Sequence, residues 1–345
     1  MATSVTGDRI LVLGAGNFGT CLAQHLAEKG HHVTLWARSP EIAAGINQNR
    51  KNPKYLNALT LSPRIGAINN ITDDLLAEHR IIVLATAAQA LSQVLKKLAD
   101  FGISPDHVVI CAVKGIEIST TRLPGAIIAD LLGSDAGKKA VFLSGPSFAS
   151  EVATHQPTAV VAASHDASRA QLVQTLFHAP QFRVYTSDDP IGVELAGALK
   201  NVIAIAAGAA VGLGFQMNSR AALITRGLAE MRRIGVAMGA NPMTFEGLAG
   251  VGDLFLTCTS EKSRNFQVGL RLGRGERIQA ILDSLGSVSE GYATTLAARD
   301  LAHRLGVDAP ITEAAYQVLY ESRPIAQAVM GLLTRDAKPE LDSPT

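Results

Sequence analysis

One lysine stands in a long segment of helical spacing whose other residues are mostly small and apolar. This residue is Lys200, in the stretch GVELAGALKNVIAIAAG. A charged lysine is costly to bury because the loss of water lowers its pKa, so it needs either a partner or a chemical role. The alternative is an ammonium group that reaches the surface along its own apolar stem. We favour the chemical role.

A glycine-rich turn follows the first predicted strand. Gly14, Gly16 and Gly19 form a GxGxxG pattern with Asn17 and Phe18 inside it, and the helix-like segment TCLAQHLAEKG comes next. In this context Gly14 allows a tight turn, Gly16 lets backbone N–H groups approach a pyrophosphate, and Gly19 lets helix and strand pack closely. The pattern predicts a dinucleotide site at the N-terminus of the helix.

The end of the second predicted strand lacks the acidic residue that usually holds the ribose 2′-hydroxyl of NAD. The chain has Trp36-Ala37-Arg38-Ser39 at this place. A guanidinium group suits a 2′-phosphate, so Arg38 favours NADP, and NADPH as the reductant. A solvated arginine at the strand end is the other explanation, and the use of NAD as well as NADP stays open.

Two further motifs fall at the carboxyl ends of predicted strands, where open α/β sheets bind their ligands. They are Lys114-Gly115-Ile116-Glu117 after VVICAV, and SGPSFA, residues 144–149, after AVFL. Alone, a lysine there is usually solvated and a Gly-Pro pair is usually a turn. Their common location favours contact with a ligand.

A fourth motif combines a carboxylate with a triplet of hydrogen-bond donors. Asp253 follows a glycine-rich stretch, and Ser263-Arg264-Asn265 comes shortly after it. A guanidinium fork beside two neutral donors suits a phosphate dianion. Such triplets also serve as helix caps, so the motif alone is weak evidence.

The composition excludes several classes of protein. The chain has 345 residues, 47% of them hydrophobic, and a formal net charge of +1. Its basic residues are spread out, which argues against a nucleic acid or a lipid surface as partner. Three cysteines and nine histidines lack metal-ligand spacing, so we predict no metal and a reducing cytoplasm. The uncharged run 202–215 is shorter than the ~20 residues of a membrane span, so we predict a buried core helix.

The elements that carry these motifs change type along the chain. Seven short runs before residue 188 are predicted to be buried parallel strands: ILVLG, HVTLWA, RIIVLA, HVVICAV, AVFLS, AVVAA and FRVYT. Helical spacing follows them. We predict a Rossmann-like, doubly wound parallel sheet over residues 8–188, an all-helical domain over 189–335 and a flexible tail over 336–345.

Together the motifs resemble the bacterial NAD(P)-dependent glycerol-3-phosphate dehydrogenases. GAGNFG, AVKGIE, SGPSFA, GALKN, AGVGDLFLTCTSEKSRN and VSEGY occur in the order of that family, from Gly14 to Tyr292. One departure is visible, because the family commonly has a Val-Pro-Ser-like turn where this chain has Leu84-Ala85-Thr86-Ala87-Ala88. That difference concerns the loop on the nicotinamide side.

The resemblance implies two sets of contacts and a reaction. Dinucleotide contacts are implied for Asn17, Phe18, Arg38, Lys114, Ala149, Arg264, Val288 and Glu290. Substrate contacts are implied for Lys114, Gly145, Ser147, Lys200, Asp253, Ser263, Arg264 and Asn265. The implied reaction is the reversible reduction of dihydroxyacetone phosphate to sn-glycerol 3-phosphate, which supplies glycerophospholipid synthesis. A homodimer is expected.

The residue types suit this chemistry without the resemblance. The reduction needs a hydride from nicotinamide, a proton for the developing alkoxide and a grip on the phosphate. Lys200 can supply the proton, with Lys114 lowering its pKa if the two approach within about 6 Å. Asp253 can orient the ammonium group.

Two alternatives stay open at this point. One is a different two-domain dehydrogenase, acting on a hydroxy acid or a sugar nucleotide, which would not depend on a substrate phosphate. The other is a non-catalytic redox sensor that binds a dinucleotide. The predicted burial of Lys200 argues against the sensor.

Overall fold

The first half of the chain forms an eight-stranded sheet with the strand order β3-β2-β1-β4-β5-β6-β7-β8. The structure is a computed structural model that describes residues 7–104, 106–285, 289–337 and 339–340. The strands are β1 Arg9–Leu13, β2 His32–Trp36, β3 Ile65–Ile68, β4 Ile81–Leu84, β5 Val108–Cys111, β6 Val141–Ser144, β7 Thr158–Ala163 and β8 Phe182–Ser187.

Helices cover both faces of the sheet and form the rest of the chain. In the first half they are α1 Asn17–Glu28, α2 Pro40–Asn49, α3 Asp74–Glu78, α4 Leu91–Asp100, α5 Pro124–Leu132, α6 Ser134–Lys139, α7 Ala149–Val152 and α8 Ala167–Phe177. The others are α9 Pro190–Gly212, α10 Met217–Ala237, α11 Asp253–Thr259, α12 Arg264–Gly273, α13 Ile278–Ser284, α14 Glu290–Leu305, α15 Pro310–Tyr320 and α16 Ile325–Leu333.

The predicted fold class is confirmed, with two corrections to the strands. The prediction that all strands are parallel is wrong. β7 pairs antiparallel with β6, and β8 pairs parallel with β7, so these last two strands run opposite to the other six. The β6–β7 connection holds only the one-turn helix α7, which is too short for the crossover that parallel strands need. The sequence prediction also missed β3, a four-residue strand whose IGAI run is too short to show a pattern.

From residue 189 on, the described part of the chain contains helices and turns but no strand. The central helix α9 is the one described helix long and apolar enough to cross a membrane, but 78% of its apolar window is buried inside the protein. It packs against α10, α11, α12 and α14. The predicted core helix is therefore observed, because its apolar surface is covered by protein. The domain boundaries at 188 and 335 stay predictions, and residues 338 and 341–345 of the predicted tail lie outside the described residues.

A buried carboxylate of α9 holds the start of α5 and leads to a first prediction. Glu194 Oε1 accepts a hydrogen bond of 2.7 Å from the backbone N–H of Gly125, at a helix start where Leu123 provides no side-chain cap. Burial raises the pKa of Glu194 from 4.5 to about 8, although this hydrogen bond opposes the shift. A carboxyl group whose pKa is raised on folding makes its full contribution to the free energy of unfolding below pH about 4.5. That contribution is lost as the pH rises through about 8.

Glu194→Gln is therefore expected to flatten the fall of Tm between pH about 5 and 8, since the amide cannot ionise. Thermal unfolding at a series of pH values measures the effect. Glu261→Gln, at an exposed position, is the matched control and should keep the wild-type slope. Equal slopes in the two variants would show that Glu194 does not titrate in this range.

Candidate active site

The centre of the site is a buried carboxylate held between two ammonium groups. Asp253 Oδ1 lies 2.6 Å from the Nζ of Lys200, and its Oδ2 lies 2.7 Å from the Nζ of Lys114. Lys200 also donates to Thr257 Oγ1 at 2.9 Å, and Lys114 donates to the carbonyl of Gly145 at 3.2 Å. The exposed fractions of the side chains are 2% for Asp253, 9% for Lys200 and 18% for Lys114. Water is thus nearly excluded from the three charges.

Four elements bring these groups together. Lys114 follows β5 and Gly145 follows β6, so both lie at the carboxyl edge of the sheet. Lys200 lies in the middle of α9, and Asp253 is the first residue of α11. Gly145 has a φ of +136°, which a glycine adopts without strain, and its carbonyl turns towards Lys114. The sheet and the helical half therefore meet at this carboxylate.

The charges shift one another's pKa in opposite directions. Burial lowers the pKa of Lys200 to about 8, the Asp253 carboxylate opposes this shift, and the positive charge of Lys114 adds to it. Burial alone would raise the pKa of Asp253, but the two ammonium groups outweigh it and hold that pKa below its usual range. An ammonium with a pKa near 8 can give and take a proton close to neutral pH.

A second, partly buried network ties the donor triplet to the start of α14. The Nδ2 of Asn265 donates to Asn201 Oδ1 at 2.8 Å, and its Oδ1 accepts from Ser289 Oγ at 2.8 Å and from Gly291 N at 3.0 Å. The orientation of the Asn265 amide is fixed by these three bonds, which leave one Nδ2 hydrogen for a further acceptor.

Ser263 and Arg264 stand at the N-terminus of α12. Ser263 is the N-cap, and its Oγ accepts from Phe266 N at 3.2 Å. Arg264 is the first residue of the helix, and its positive charge partly opposes the rise that burial causes in the pKa of Glu290. The triplet is thus a helix cap and a set of donors together, with the positive end of the helix dipole behind it.

Glu290 is the first residue of α14, and its carboxyl group is buried. Its Oε1 accepts a hydrogen bond of 3.3 Å from Ala88 N, in the loop that departs from the family pattern. Burial raises its pKa to about 7, against the effects of the Ala88 hydrogen bond and the charge of Arg264. Its Oε2 and the hydroxyls of Thr86, Ser144 and Thr294 are buried and have no hydrogen-bond partner among the described residues. Such groups mark a polar surface that suits a ligand.

The start of α1 fits a dinucleotide pyrophosphate. Gly14 has a φ of +124°, and a Cβ there would lie 2.4 Å from the carbonyl oxygen of Ala85. A Cβ on Gly19 would lie 1.8 Å from the carbonyl oxygen of Gly14, whereas a Cβ on Gly16 would have no atom within 4 Å. In the described structure no side chain caps α1, and its first turn contains no acidic residue. The first N–H groups of the helix are therefore available to an anion.

Family models match both halves of the chain. The model described as the N-terminus of NAD-dependent glycerol-3-phosphate dehydrogenase matches residues 9–170, and the C-terminus model matches residues 189–330. The chain belongs to the NAD-dependent glycerol-3-phosphate dehydrogenase family. The resemblance inferred from the sequence motifs is thereby confirmed, and with it the dependence on NAD or NADP.

Similarity to individual proteins of the family supports that assignment. A glycerol-3-phosphate dehydrogenase (NAD(P)+) from Geobacter metallireducens is 50% identical over 97% of this chain and 99% of its own length. The crystal structure of glycerol-3-phosphate dehydrogenase from Coxiella burnetii has a TM-score of 0.90 at 35% identity, over 95% of this chain and 99% of its own. D-mandelate dehydrogenase has a TM-score of 0.61 at 14% identity, over 93% and 99% of the two chains, which shows the fold alone.

The predicted site residues of this dehydrogenase family member are placed as follows. Lys114, Gly145, Lys200 and Asp253 form the charged centre, and Ser147 Oγ donates to the Gly145 carbonyl at 3.0 Å. Phe18 lies beside this centre, with its ring centroid 6.0 Å from Lys114 Nζ. The rest are Arg38, exposed after β2; Ala149, at the start of α7; Asn17, at the start of α1; and Val288, which lies outside the described residues.

Two buried residues of the site were missed by the sequence prediction. Asn201 holds Asn265, and Thr257 accepts a hydrogen bond from Lys200. Asn201 follows Lys200 in the same apolar helix, so the burial argument applies to it equally. Thr257 lies four residues after Asp253, a spacing that places both on one face of a helix.

Proposed function

We propose that this chain catalyses the reversible reduction of dihydroxyacetone phosphate to sn-glycerol 3-phosphate with NADPH or NADH. The observation that carries the proposal is the Lys114–Asp253–Lys200 cluster beside the dinucleotide-binding turn. The names of its relatives support the same reaction. The two alternatives are less well supported. D-mandelate dehydrogenase shares only the fold with this chain. A non-catalytic sensor does not need a buried ammonium group with a lowered pKa.

In this mechanism Lys200 moves the proton. The bound nicotinamide supplies the hydride or accepts it. In the direction of reduction, Lys200 donates its proton to the carbonyl oxygen of the substrate, and in the reverse direction it takes the proton back. Asp253 holds the Lys200 ammonium in place, and burial together with the charge of Lys114 keeps the pKa of Lys200 low enough for transfer. Thr257 accepts a second hydrogen bond from the Lys200 ammonium group and so restricts its rotation.

The N-terminus of α12 holds the phosphate in this proposal. Arg264 supplies the guanidinium fork, Ser263 a hydroxyl hydrogen, and Asn265 the remaining Nδ2 hydrogen. Gly145 and Ser147 line the adjoining turn after β6. Fixing the phosphate fixes the carbonyl near Lys200, which makes the reaction effectively unimolecular.

The phosphate site is tested by comparing two substrates that differ only in that group. Dihydroxyacetone phosphate is expected to support NADPH oxidation, while dihydroxyacetone is turned over far more slowly, because binding energy from a remote phosphate appears in the rate. The absorbance of NADPH measures both reactions. Equal kcat/KM for the two compounds would refute the assignment of the phosphate site.

Residues 14–19 hold the dinucleotide in this proposal, together with other side chains. The proposed contacts outside the turn are Arg38, Lys114, Ala149, Arg264, Val288 and Glu290. The unpartnered Oε2 of Glu290 and the hydroxyls of Thr86 and Thr294 are further polar groups proposed to face the dinucleotide. Arg38 is exposed at the end of β2 and is proposed to favour NADPH.

Arg38→Ala is expected to raise the KM for NADPH and to change that for NADH little. A charge-assisted contact to the 2′-phosphate contributes about 1–3 kcal/mol, so a rise of about 5- to 150-fold is anticipated. Steady-state kinetics with each cofactor measure it, with the exposed Arg80→Ala as control. An equal change for both cofactors would make Arg38 a surface residue only.

Four further features belong to the proposal. The product would supply glycerophospholipid synthesis, and the enzyme would work in the cytoplasm, which agrees with its three free, buried cysteines. A homodimer is proposed, supported by large exposed apolar side chains such as Met217, Phe255 and Leu333. The dinucleotide domain is proposed to end at residue 188 and the substrate domain at 335.

A further inference from the structure

A second cavity lies at the end of the sheet opposite the proposed active site. Its volume is about 430 Å³, within the range of small-molecule sites. Arg9 is the first residue of β1, His32 the first of β2 and Ile65 the first of β3, and all three line the cavity. The glycine-rich turn follows the other end of β1, so the two sites are separated by the length of the strands.

The lining of this cavity is strongly basic. Arg9, Arg50 and Arg64 contribute guanidinium groups, and His32 and His79 contribute imidazoles. The described lining includes no Asp or Glu. Arg9 Nη1 forms an ion pair of 2.5 Å with Oε2 of Glu78, which lies outside the lining. Two guanidinium charges of the cavity, those of Arg50 and Arg64, remain without a carboxylate in the lining. Like charges held close together repel, and an anion between them removes that cost.

The two remaining arginines have donors to offer. Arg50 Nη2 donates to the carbonyls of Ser62 and Ile65, the latter at 2.9 Å, which fixes the guanidinium against β3 and leaves Nη1 without a hydrogen bond among the described residues. Arg64 is exposed, and its contacts with the Gly30 carbonyl and with His32 are both 3.4 Å long. One guanidinium is therefore held in place and the other is only weakly held.

The floor of the cavity is open because β3 carries a glycine there. A Cβ on Gly66 would have no atom within 4 Å, and its neighbour on β2 is Thr34, whose Oγ1 lies 2.8 Å from His79 Nε2. His79 Nδ1 donates to the Leu75 carbonyl, so its Nε2 accepts the hydroxyl hydrogen of Thr34 and this pair is satisfied internally. His32 remains as the imidazole beside the guanidinium groups. Guanidinium groups with a further N–H donor suit phosphate oxygens.

We propose that this cavity binds a phosphorylated small molecule, a phosphate monoester or a polyphosphate, separately from the catalytic cleft. Arg64 and Arg50 hold the phosphate oxygens, and His32 adds a neutral donor. The site is independent of the proposed function, because it shares no residue with the dinucleotide or substrate sites.

Calorimetric titration with inorganic pyrophosphate tests the proposal on protein saturated with NADPH, which fills the pyrophosphate site at α1. Arg64→Glu reverses a charge inside the cavity, and Arg80→Glu makes the same change at an exposed position beside the start of β4, outside the lining. Wild type and Arg80→Glu are expected to bind one pyrophosphate more per chain than Arg64→Glu, or to bind it at least tenfold more tightly. Arg64→Gln should lie between them.

Equal binding by Arg64→Glu and Arg80→Glu would overturn the proposal, and so would the absence of any binding by the NADPH-saturated wild type. All variants should keep the kcat and KM of wild type, which shows that they are folded. A parallel titration with inorganic phosphate identifies the ligand class. Tighter pyrophosphate binding indicates a polyphosphate, and similar affinities indicate a monoester.

Discussion

Replacing Lys200 by methionine is expected to lower kcat by a factor of about 10²–10⁴, the usual contribution of one general acid. Methionine keeps the length and the apolar packing of the side chain but carries no proton. Asp253 keeps its partner Lys114, so the fold and NADPH binding should survive. Steady-state kinetics and an NADPH titration of the purified variant measure the two properties separately.

The pH dependence of the wild type gives this prediction a second readout. The pKa of Lys200 lies at about 8. Reduction needs its charged form and should slow as the pH rises through about 8, whereas oxidation needs the neutral form and should quicken over the same range. Lys97→Met, on the exposed side of α4, should keep both limbs. If Lys200→Met retained kcat within about tenfold, the proton transfer would have to be assigned elsewhere, with Lys114 the next candidate.

The sequence predicts the parts of the candidate site because each part has a local cause. Lys114 and Gly145 follow buried apolar strands, and the carboxyl ends of neighbouring parallel strands meet at one edge of a sheet. Lys200 is a candidate site residue because charged side chains are rare in apolar, buried helices. These arguments need only nearby residues, so one sequence suffices for them.

The pairing of those parts had no such local signal. Asp253 contacts Lys114 across 139 positions of the chain and Lys200 across 53. A motif predicts that a carboxylate is present, but the packing of α11 against α9 decides which ammonium groups it contacts. The same limit explains β7, because a buried apolar run has the same pattern in either direction.

Asp253→Asn is expected to be the most destabilising substitution in the site. The carboxylate is 2% exposed and is shared by two ammonium groups. Removing one partner from a buried ion pair costs about 3–5 kcal/mol, because the remaining charge is left buried and unpaired. Urea unfolding of the variant should show a loss of this size, with Asp283→Asn, an exposed position, as the control.

A double-mutant cycle separates the charge effect of Asp253 from its packing. In the Lys200→Met background only Lys114 is left unpaired by Asp253→Asn, so the additional loss of stability should be smaller than in wild type by about 0.5–3 kcal/mol. Strictly additive losses would mean that Asp253 supports the fold by contacts other than these charges. Asp253→Asn alone should also move the pH profile of kcat to lower pH, because the carboxylate that opposes the lowered pKa of Lys200 is gone. A variant that only loosened the fold would lose activity without moving that profile. The shift therefore identifies Asp253 as the residue that positions Lys200 and raises its pKa.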